Sequence, residues 1–359
     1  MKQRLHLKIQ GAVQGIGFRP FIYRMATELR LTGWVNNSSE GVAVEIEGER
    51  AQLTAFLHHL KYLAPPISNI QSVVSSEHTP VGYQDFKIKT STSGAKTALI
   101  LPDLATCPEC LQDILDLHNR RYRYPFNNCT NCDPRFSIIE TLPYNRPNTS
   151  MKQFTMCDRC GVEYQAPLGR HFHAQPNACP NCGPHLELWD CQGKTLAAHD
   201  EALIVTAEAI RQGKIVVIKG LGGFHLVVDA QDEISVQRLR DRKHRPHKSL
   251  ALMYPNLERV KAECEVSSLE AKLLLSPQAP IVLLTSKLTK NPLHPYALVA
   301  HHSPYLGVML PYTPLHHLLL KELGFPVVAT SGNFSSEPIC IDNQEALSKL
   351  KHIADLICF

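Results

Sequence analysis

Eight of the twelve cysteines in this 359-residue chain fall into four C-x-x-C pairs: Cys107/Cys110, Cys129/Cys132, Cys157/Cys160 and Cys179/Cys182. The spacing is C-x2-C-x18-C-x2-C, then 24 residues, then the same pattern again. Four thiolates so spaced can close a tetrahedron around zinc with no coordination position left open, which points to a structural role. A redox centre needs only one pair on a βαβ frame, and four pairs in two equal halves argue against it. His171 and His173 stand as spare ligands. The pairs can group sequentially within each half, the simpler arrangement, or interleave. Cys191, Cys264, Cys340 and Cys358 are scattered and read as small apolar core residues.

A second pattern, "GAVQGIGFR", sets Gly11, Gly15 and Gly17 ahead of Arg19 where a strand gives way to a helix. Glycines let backbone N–H groups approach an anion, and the helix start adds partial positive charge. An arginine there can clamp phosphate oxygens with two parallel hydrogen bonds. Alone, such a loop is also an ordinary strand-to-helix turn. A third pattern, "LRDRKHRPHKSLALM", gathers Arg240, Arg242, Lys243, Arg245 and Lys248. Charge runs are usually solvated faces, but this one sits at a helix-to-strand junction, with Pro246 fixing the turn. Further on, "VVATSGNFSSEP" ends a strand in a polar turn where Ser331, Gly332 and Asn333 can meet a phosphate or carbonyl. Open α/β sheets bind ligands at that carboxyl edge. "RRYRYPF" mixes arginine with aromatics as single-strand binders do. It is short and acidic residues surround it, so nucleic acid is not the expected partner.

The elements that must position these residues follow from periodicity. From 1 to about 90, "LHLKIQG" alternates as a strand, "FIYRMATELRL" has helical period, "GVAVEIEGE" is a strand and "AQLTAFLHHLKYL" a helix; "ISNIQSVVSSE" and "YQDFKIKT" add strands. The fold expected from this alternation is the β-α-β-β-α-β ferredoxin-like sandwich, and "STSGAKT" reads as a linker. From about 103 to 190 periodicity fades, and a repeat with a shift of fifty sets Arg120 against Arg170, Asn127 against Asn177 and Pro134 against Pro184. Such a stretch lacks the apolar surface to fold unaided, so metal would supply what its core lacks. From about 200, "KIVVIKG", "FHLVVDA", "SLALMY", "APIVLLTS" and "PVVATS" read as strands buried on both faces; "EALIVTAEAIRQG", "SVQRLRDRK" and "TPLHHLLLKELG" have helical spacing. The terminal "ADLICF" reads as a strand and suggests an N-terminal piece of something longer. Hydrophobic content of 44% and charged content of 19% are ordinary for a soluble globular protein. A net charge of +4 neither demands nor excludes a polyanion. No segment has the length of a membrane span and the start lacks a signal peptide's apolar stretch, so the cytoplasm is expected.

"GAVQGIGFR" followed by "GWVNNSSEGV" resembles the paired signature of acylphosphatases, ferredoxin-like enzymes that hydrolyse acyl phosphates. The resemblance implies that the loop of Gly15 and Gly17 and the side chain of Arg19 bind phosphate, and that Asn37 positions the attacking water. The basic run and the T-S-G-N turn resemble the YrdC family, whose members make carbamoyl-type adenylates from ATP. That implies a ligand cavity lined by Lys243, Arg245, Ser331 and Asn333, with Lys219 and Lys248 as further candidates; Ser249 stands where related sequences usually have proline. In this order, the segments resemble the HypF family, the carbamoyltransferases of nickel–iron hydrogenase maturation. "RRYRYPFNNCTNC", "FHAQPNACPNCGPHLE", "IKGLGGFHL" and "LGVMLPYTPLHHLLL" look like its signatures.

The fold class expected is multidomain, α+β and α/β. A ferredoxin-like acylphosphatase domain spans 1–91, a tandem four-cysteine zinc-finger domain 103–190, and a YrdC-like α/β domain 200–359. The resemblance implies two structural Zn2+ sites and a relay. Carbamoyl phosphate is hydrolysed to carbamate, which reacts with ATP (taken with Mg2+) to give carbamoyl adenylate and pyrophosphate. A further domain, absent from this sequence, then transfers the carbamoyl group to the C-terminal cysteine of the protein HypE. Two other readings remain: a stand-alone adenylate synthase feeding tRNA modification, and a zinc-finger nucleic-acid binder.

Overall fold

The computed structural model of the chain describes residues 2–14, 17–38, 41–65, 68–89, 101–141, 144–287, 296–300, 303–335 and 337–359. Gly15 and the expected linker "STSGAKT" lie outside the described residues. In chain order the strands are β1 (Lys2–Ala12), β2 (Thr32–Ser38), β3 (Gly41–Glu49), β4 (Asn69–His78), β5 (Phe86–Ile88), β6 (Glu187–Asp190), β7 (Thr195–Ala198), β8 (Val216–Gly220), β9 (Gly223–Asp229), β10 (Ala251–Met253), β11 (Val282–Thr285), β12 (Tyr305–Met309), β13 (Val327–Ser331) and β14 (Leu356–Cys358). The helices are α1 (Phe18–Glu28), α2 (Arg50–Tyr62), α3 (Pro108–Leu115), α4 (Asp158–Gln165), α5 (His199–Arg211), α6 (Glu233–Lys243), α7 (Leu257–Glu263), α8 (Ser268–Leu274), α9 (Ala297–Ala300), α10 (Pro314–Leu323) and α11 (Asn343–Leu350). None is long and apolar enough to cross a membrane among the described residues. The chain divides into two compact units: Met1–Asp103 with Asn128–Cys182, and Leu104–Asn127 with Gly183–Phe359.

In the first unit a five-stranded sheet runs β4-β1-β3-β2-β5. Alternation buries Leu7 and Ile9 of β1 and Val44 and Ile46 of β3 against Ile22 and Met25 of α1 and Phe56 and Leu60 of α2. β2 was not among the strands expected from alternation. Its "TGWVNNS" carries two asparagines, and it forms because β3 pairs along one side and β5 along the other. β1 and β2 are each antiparallel to β3, so they run parallel, with their carboxyl ends at one edge. Register places Ile9, Val42 and Asn37 in a single row there. The finger segment of this unit has little regular structure. The buried Arg146 guanidinium stands in for it, donating to the carbonyls of Gln175 (2.7 Å), Asn177 (2.8 Å) and Phe154 (2.8 Å).

The second unit carries a nine-stranded sheet ordered β11-β12-β10-β13-β9-β8-β14-β6-β7. One face buries Val217, Phe224, Leu226 and Val328; the other buries Val216, Ile218, Val227 and Ala329 against Leu315, Leu318 and Leu319 of α10. β8, β9, β10 and β13 thus match the expected two-sided burial, but β11 does not. It lies at the edge of the sheet and alternates, with Leu283 68% exposed, because only one of its faces is covered. The terminal run forms β14, parallel to β8 and antiparallel to β6. α10 shows how local sequence sets an element. Thr313 caps its start by accepting from the His316 N–H, Pro314 occupies the first turn, and Gly324 ends it with φ 74°.

Candidate functional sites

The β1–α1 loop ends on Gly17, which takes φ 68° as the N-cap of α1. A Cβ there would lie 2.8 Å from Thr130 Oγ1, so both the backbone and the close approach require glycine. Arg19, the second residue of α1, makes no hydrogen bond or ion pair among the described residues, and burial pushes its pKa below the usual arginine value. Its charge is held ready without a counter-ion, beside helix N–H groups that no side chain caps. Gln14 Nε2 donates to the Gly41 carbonyl at 2.7 Å and pins the loop to the β2–β3 turn. Just before that turn, Asn37 Oδ1 is sealed from solvent with no hydrogen-bond partner. The loop, Arg19 and Asn37 therefore share one sheet edge. The part played by Gln14 is missing from the sequence reading, although the residue lies inside the quoted motif.

The cysteines group sequentially: Cys107, Cys110, Cys129 and Cys132 form one cluster, and Cys157, Cys160, Cys179 and Cys182 the other, each with its sulfurs within 4.8 Å of one another. In the second, sulfur separations of 3.8, 3.7 and 3.6 Å are recorded. Zn–S bonds of ~2.3 Å in a tetrahedron imply edges of about 3.8 Å, so the donor set fits zinc. A backbone N–H from Cys160 helps push the Cys157 thiol down to about 7, toward the thiolate a metal needs. The fifty-residue repeat is structural: Asn127 Nδ2 donates to Cys110 O at 3.1 Å, and Asn177 Nδ2 to Cys160 O at 2.9 Å. Neither spare histidine joins a cluster. His173 instead stacks on Phe172 at 4.1 Å, and burial together with the Arg19 charge pushes its pKa down to about 4.

In the second unit the basic run divides by role. His244 takes φ 51° and ends α6, so that Lys243 leaves the last turn inward, 1% exposed. Its ammonium donates to Ser331 O (2.6 Å), Asn333 O (2.6 Å) and Asn333 Oδ1 (3.0 Å), which uses all three N–H groups. Burial and the nearby Arg245 push its pKa down to about 8. Ser331 Oγ donates to Asn333 Oδ1 at 2.7 Å, and Asn333 Nδ2 to Glu337 O at 2.6 Å, so the T-S-G-N turn and Lys243 are one network. Gly332 permits it, since a Cβ there would lie 2.7 Å from Phe224 O. Arg240 is buried and donates to the carbonyls of Arg245, Pro246 and Lys248, shaping the turn from inside. Arg242 pairs with Asp355 at 2.8 Å. Arg245 donates from Nη2 to Ser249 O at 2.8 Å, but its buried Nε has no partner. The Lys248 side chain is exposed. Lys219 Nζ donates to Asn343 Oδ1 at 2.6 Å, and burial lowers its pKa.

Two motifs resolve differently from their look in sequence. In "RRYRYPF", Arg121 and Tyr124 are buried, Arg123 pairs with Asp200 at 2.8 Å and with Glu322, and Tyr124 donates to Pro184 O at 3.2 Å. These side chains are spent inside the fold rather than laid out as a stacking surface. His225, Tyr312 and His316 carry no role in the sequence reading, although they lie in "IKGLGGFHL" and "LGVMLPYTPLHHLLL". The one signal was histidine among leucines on an apolar helix.

Known families match three segments of the chain. The acylphosphatase family matches residues 5–88 and the HypF finger family 106–139 and 156–189; the Sua5/YciO/YrdC family, described as telomere recombination, matches 208–358. The carbamoyltransferase HypF of Synechocystis sp. is 48% identical over 99% of this chain and 46% of its own length. That of Rhodobacter capsulatus is 43% identical over 98% and 46%. An acylphosphatase of Thermotoga maritima is 40% identical over 24% of this chain and 94% of its own. A crystal structure of full-length HypF in the phosphate- and nucleotide-bound form superposes with a TM-score of 0.91 and 45% identity, over 100% of this chain and 46% of that one. HypF of T. kodakarensis gives 0.88 and 40%, over 99% and 45%. The chain thus spans about half the length of the curated HypF relatives it matches. Identity of 40–48% along its whole length, with all three segments in one order, shows that this chain belongs to the HypF carbamoyltransferase family.

Proposed function

We propose that the chain carries the first two reactions of a carbamoyl relay, with functional divisions at 1–91, 103–190 and 200–359. In the first, carbamoyl phosphate enters the β1–α1 loop, where the Arg19 guanidinium and loop N–H groups, those of Gly15 and Gly17 among them, take the phosphoryl oxygens. Asn37 Oδ1 accepts a hydrogen bond from a water and aims it at phosphorus. The P–O bond to the carbamoyl group breaks, phosphate forms and carbamate leaves. The mixed anhydride is already activated, so charge stabilisation and a placed water suffice, with no covalent nucleophile. The observation that carries this reading is the pairing of a half-buried, uncommitted Arg19 with an unpartnered Asn37 Oδ1 at one sheet edge.

In the second reaction, a carbamate oxygen attacks the α-phosphorus of ATP, supplied as its Mg2+ complex, to give carbamoyl adenylate and pyrophosphate. Lys243, Ser331 and Asn333 hold the turn that borders this site, Arg245 offers its free Nε, and Lys219 and Lys248 supply positive charge nearby. Zinc in the two thiolate clusters would hold the finger loops and take no part in either reaction. In the whole protein the carbamoyl group would pass to the C-terminal cysteine of HypE, in the cytoplasm.

The test is carbamoyl-phosphate-dependent ATP–pyrophosphate exchange in wild type and Arg19→Ala. The relay expects exchange in the wild type and its loss in the variant, with restoration when ammonium carbamate is supplied directly. Unchanged exchange in Arg19→Ala would show that the first site does not feed the second. Exchange driven by threonine plus bicarbonate, and not by carbamoyl phosphate, would favour the tRNA-modification chemistry.

A further inference from the structure

Within the first unit, both fingers are tied to the phosphate loop. A Cβ at Gly17 would lie 2.8 Å from Thr130 Oγ1 and 3.9 Å from Asn131 Oδ1, so the first finger touches the N-cap of α1. Thr130 in turn grips the second finger: its N–H and its Oγ1 both donate to the Arg170 carbonyl, at 3.1 and 3.2 Å. Its own carbonyl accepts from Arg135 Nη2 at 2.9 Å, which holds it in place. Gly17 stands two residues before Arg19, and Arg170 three residues before His173. The backbone between Arg170 and His173 is tightly turned, with Phe172 N–H donating to Gly169 O and Ala174 N–H to His171 O, both at 3.1 Å. His173 is thereby anchored close to Arg19, whose charge acts on both His173 and Tyr164.

His173 is held as a fixed group. Its φ of 53° lies in the left-handed region, a backbone state that persists only where the surroundings impose it. Three bonds do so. The His173 N–H donates to Tyr164 O at 3.0 Å, Gln175 Nε2 donates to His173 O at 2.7 Å, and Tyr164 Oη donates to Gln175 Oε1 at 2.9 Å. The imidazole stacks 13° from parallel on Phe172 at 4.1 Å and lies 5.1 Å from the Tyr164 ring. The half-buried ring is thus oriented, yet neither of its nitrogens has a hydrogen-bond partner among the described residues. Burial and the Arg19 charge keep it neutral, with one N–H to donate.

We propose that His173, carried by the second finger, is a further catalytic residue of the first site, donating a hydrogen bond to an oxygen of the acyl phosphate bound at Arg19. The identity of that ligand rests on the acyl-phosphate reading given above. As the P–O bond breaks, charge gathers on the departing acyl oxygen and on the phosphoryl group. A fixed neutral donor stabilises that charge without the repulsion that a second cation would set up beside Arg19. The acylphosphatase match ends at residue 88, so His173 adds to the site a group from outside that family's own segment.

The test uses the full zinc-loaded chain, with carbamoyl phosphate as substrate and released phosphate as the readout. His173→Phe keeps a ring to stack on Phe172 and removes both nitrogens. It should lower kcat/KM by about tenfold to a hundredfold, while the chain keeps zinc in both clusters and its urea midpoint. His173→Asn and His173→Gln place an amide N–H near the former position of Nδ1 or Nε2, and one of the two should recover part of the loss. A second measurement needs no turnover. The His173 Cε1–H signal, assigned by its absence in His173→Phe, should move saturably in proton–carbon NMR when inorganic phosphate is added. It should stay still in Arg19→Ala, and with sodium chloride at equal ionic strength. If His173→Phe loses zinc, the Asn and Gln variants and the phosphate titration carry the comparison. Unchanged hydrolysis in His173→Phe, equal losses in all three variants, or equal movement of the signal in Arg19→Ala would overturn the proposal. A still signal in a wild type that hydrolyses carbamoyl phosphate would sink His173 and leave the acyl-phosphate reading standing. Movement with phosphate in a chain that hydrolyses no acyl phosphate would sink that reading and leave His173 as an oxyanion contact.

Discussion

The β1–α1 site and the T-S-G-N turn hold their polar groups in opposite ways. At the first, Arg19 is half-buried with no hydrogen-bond or ion-pair partner among the described residues, and Asn37 Oδ1 is left unsatisfied. At the second, Lys243 spends all three N–H groups on Ser331 and Asn333. A site that leaves its groups unpaired pays for readiness in stability, and a ligand supplies the missing partners. A site that ties its groups together has made them part of the fold. Motif matching cannot distinguish these cases, since both present a basic residue beside a small polar turn. The difference predicts that mutations at the two sites should separate activity from stability in opposite directions.

The largest effect should come from zinc. Gly17 of the phosphate loop packs against Thr130, which stands between Cys129 and Cys132. Structural zinc in such sites is worth on the order of 10 kcal/mol of folding energy. Stripping the metal with a strong chelator should therefore release two zinc ions per chain and abolish acyl-phosphate hydrolysis. The large α/β core of the second unit should be less affected. With Trp34→Phe, the remaining Trp189, which stacks edge-on with Phe359 at 4.5 Å, reports on that sheet. Its emission should stay near native; a shift in step with the loss of hydrolysis would mean that the fingers hold up both sites equally.

Next come the two cations. Arg19→Ala should lower acyl-phosphate hydrolysis by roughly a hundredfold to a thousandfold, as removal of one preorganised charge typically does. It should leave urea-unfolding stability unchanged or slightly raised, because it relieves a half-buried charge with no ion-pair partner. Lys243→Met should do the opposite, costing about 3 kcal/mol by stranding three acceptors in a buried turn, while hydrolysis at the first site continues. If both variants lose stability alike, the contrast between a waiting site and a clasped one fails.

Much of this was legible in sequence, for identifiable reasons. Cysteine spacing and the fifty-residue shift are local patterns that survive without tertiary context, and they gave both clusters. Long apolar runs gave β8, β9 and β13. Sequence misled where a neighbour, not the segment itself, decides the outcome. β2 forms despite its asparagines because two strands flank it, and β11 alternates because its outer face, with Leu283, is exposed. The site residues divide the same way. Arg19 and Lys243 could be named as basic residues beside small turns. That one is free and the other saturated depends on Ser331 and Asn333, nearly ninety residues further on. The His225–His316 pair shows in sequence only as histidine among leucines on α10, since its members come from different elements and meet only in the packed unit.

A smaller effect concerns buried bases that are neither waiting nor clasped. His317 follows His316 on α10, and burial pushes its pKa down to about 4 from 6.5. A base held neutral in the folded chain binds its proton first in the unfolded one, so its contribution is full above pH 6.5 and shrinks as pH falls toward 4. Between pH 7 and pH 5 that loss is about 2 kcal/mol, since each pH unit below 6.5 costs about 1.4 kcal/mol until the folded form titrates. His317→Gln cannot bind that proton. Urea titrations at the two pH values should therefore show wild type losing about 2 kcal/mol more than His317→Gln on acidification. Thiolate protonation at the zinc clusters acts on both chains alike and cancels in the difference. Parallel losses in the two chains would mean that α10 admits a charged imidazole at position 317, and that burial there is looser than at His316.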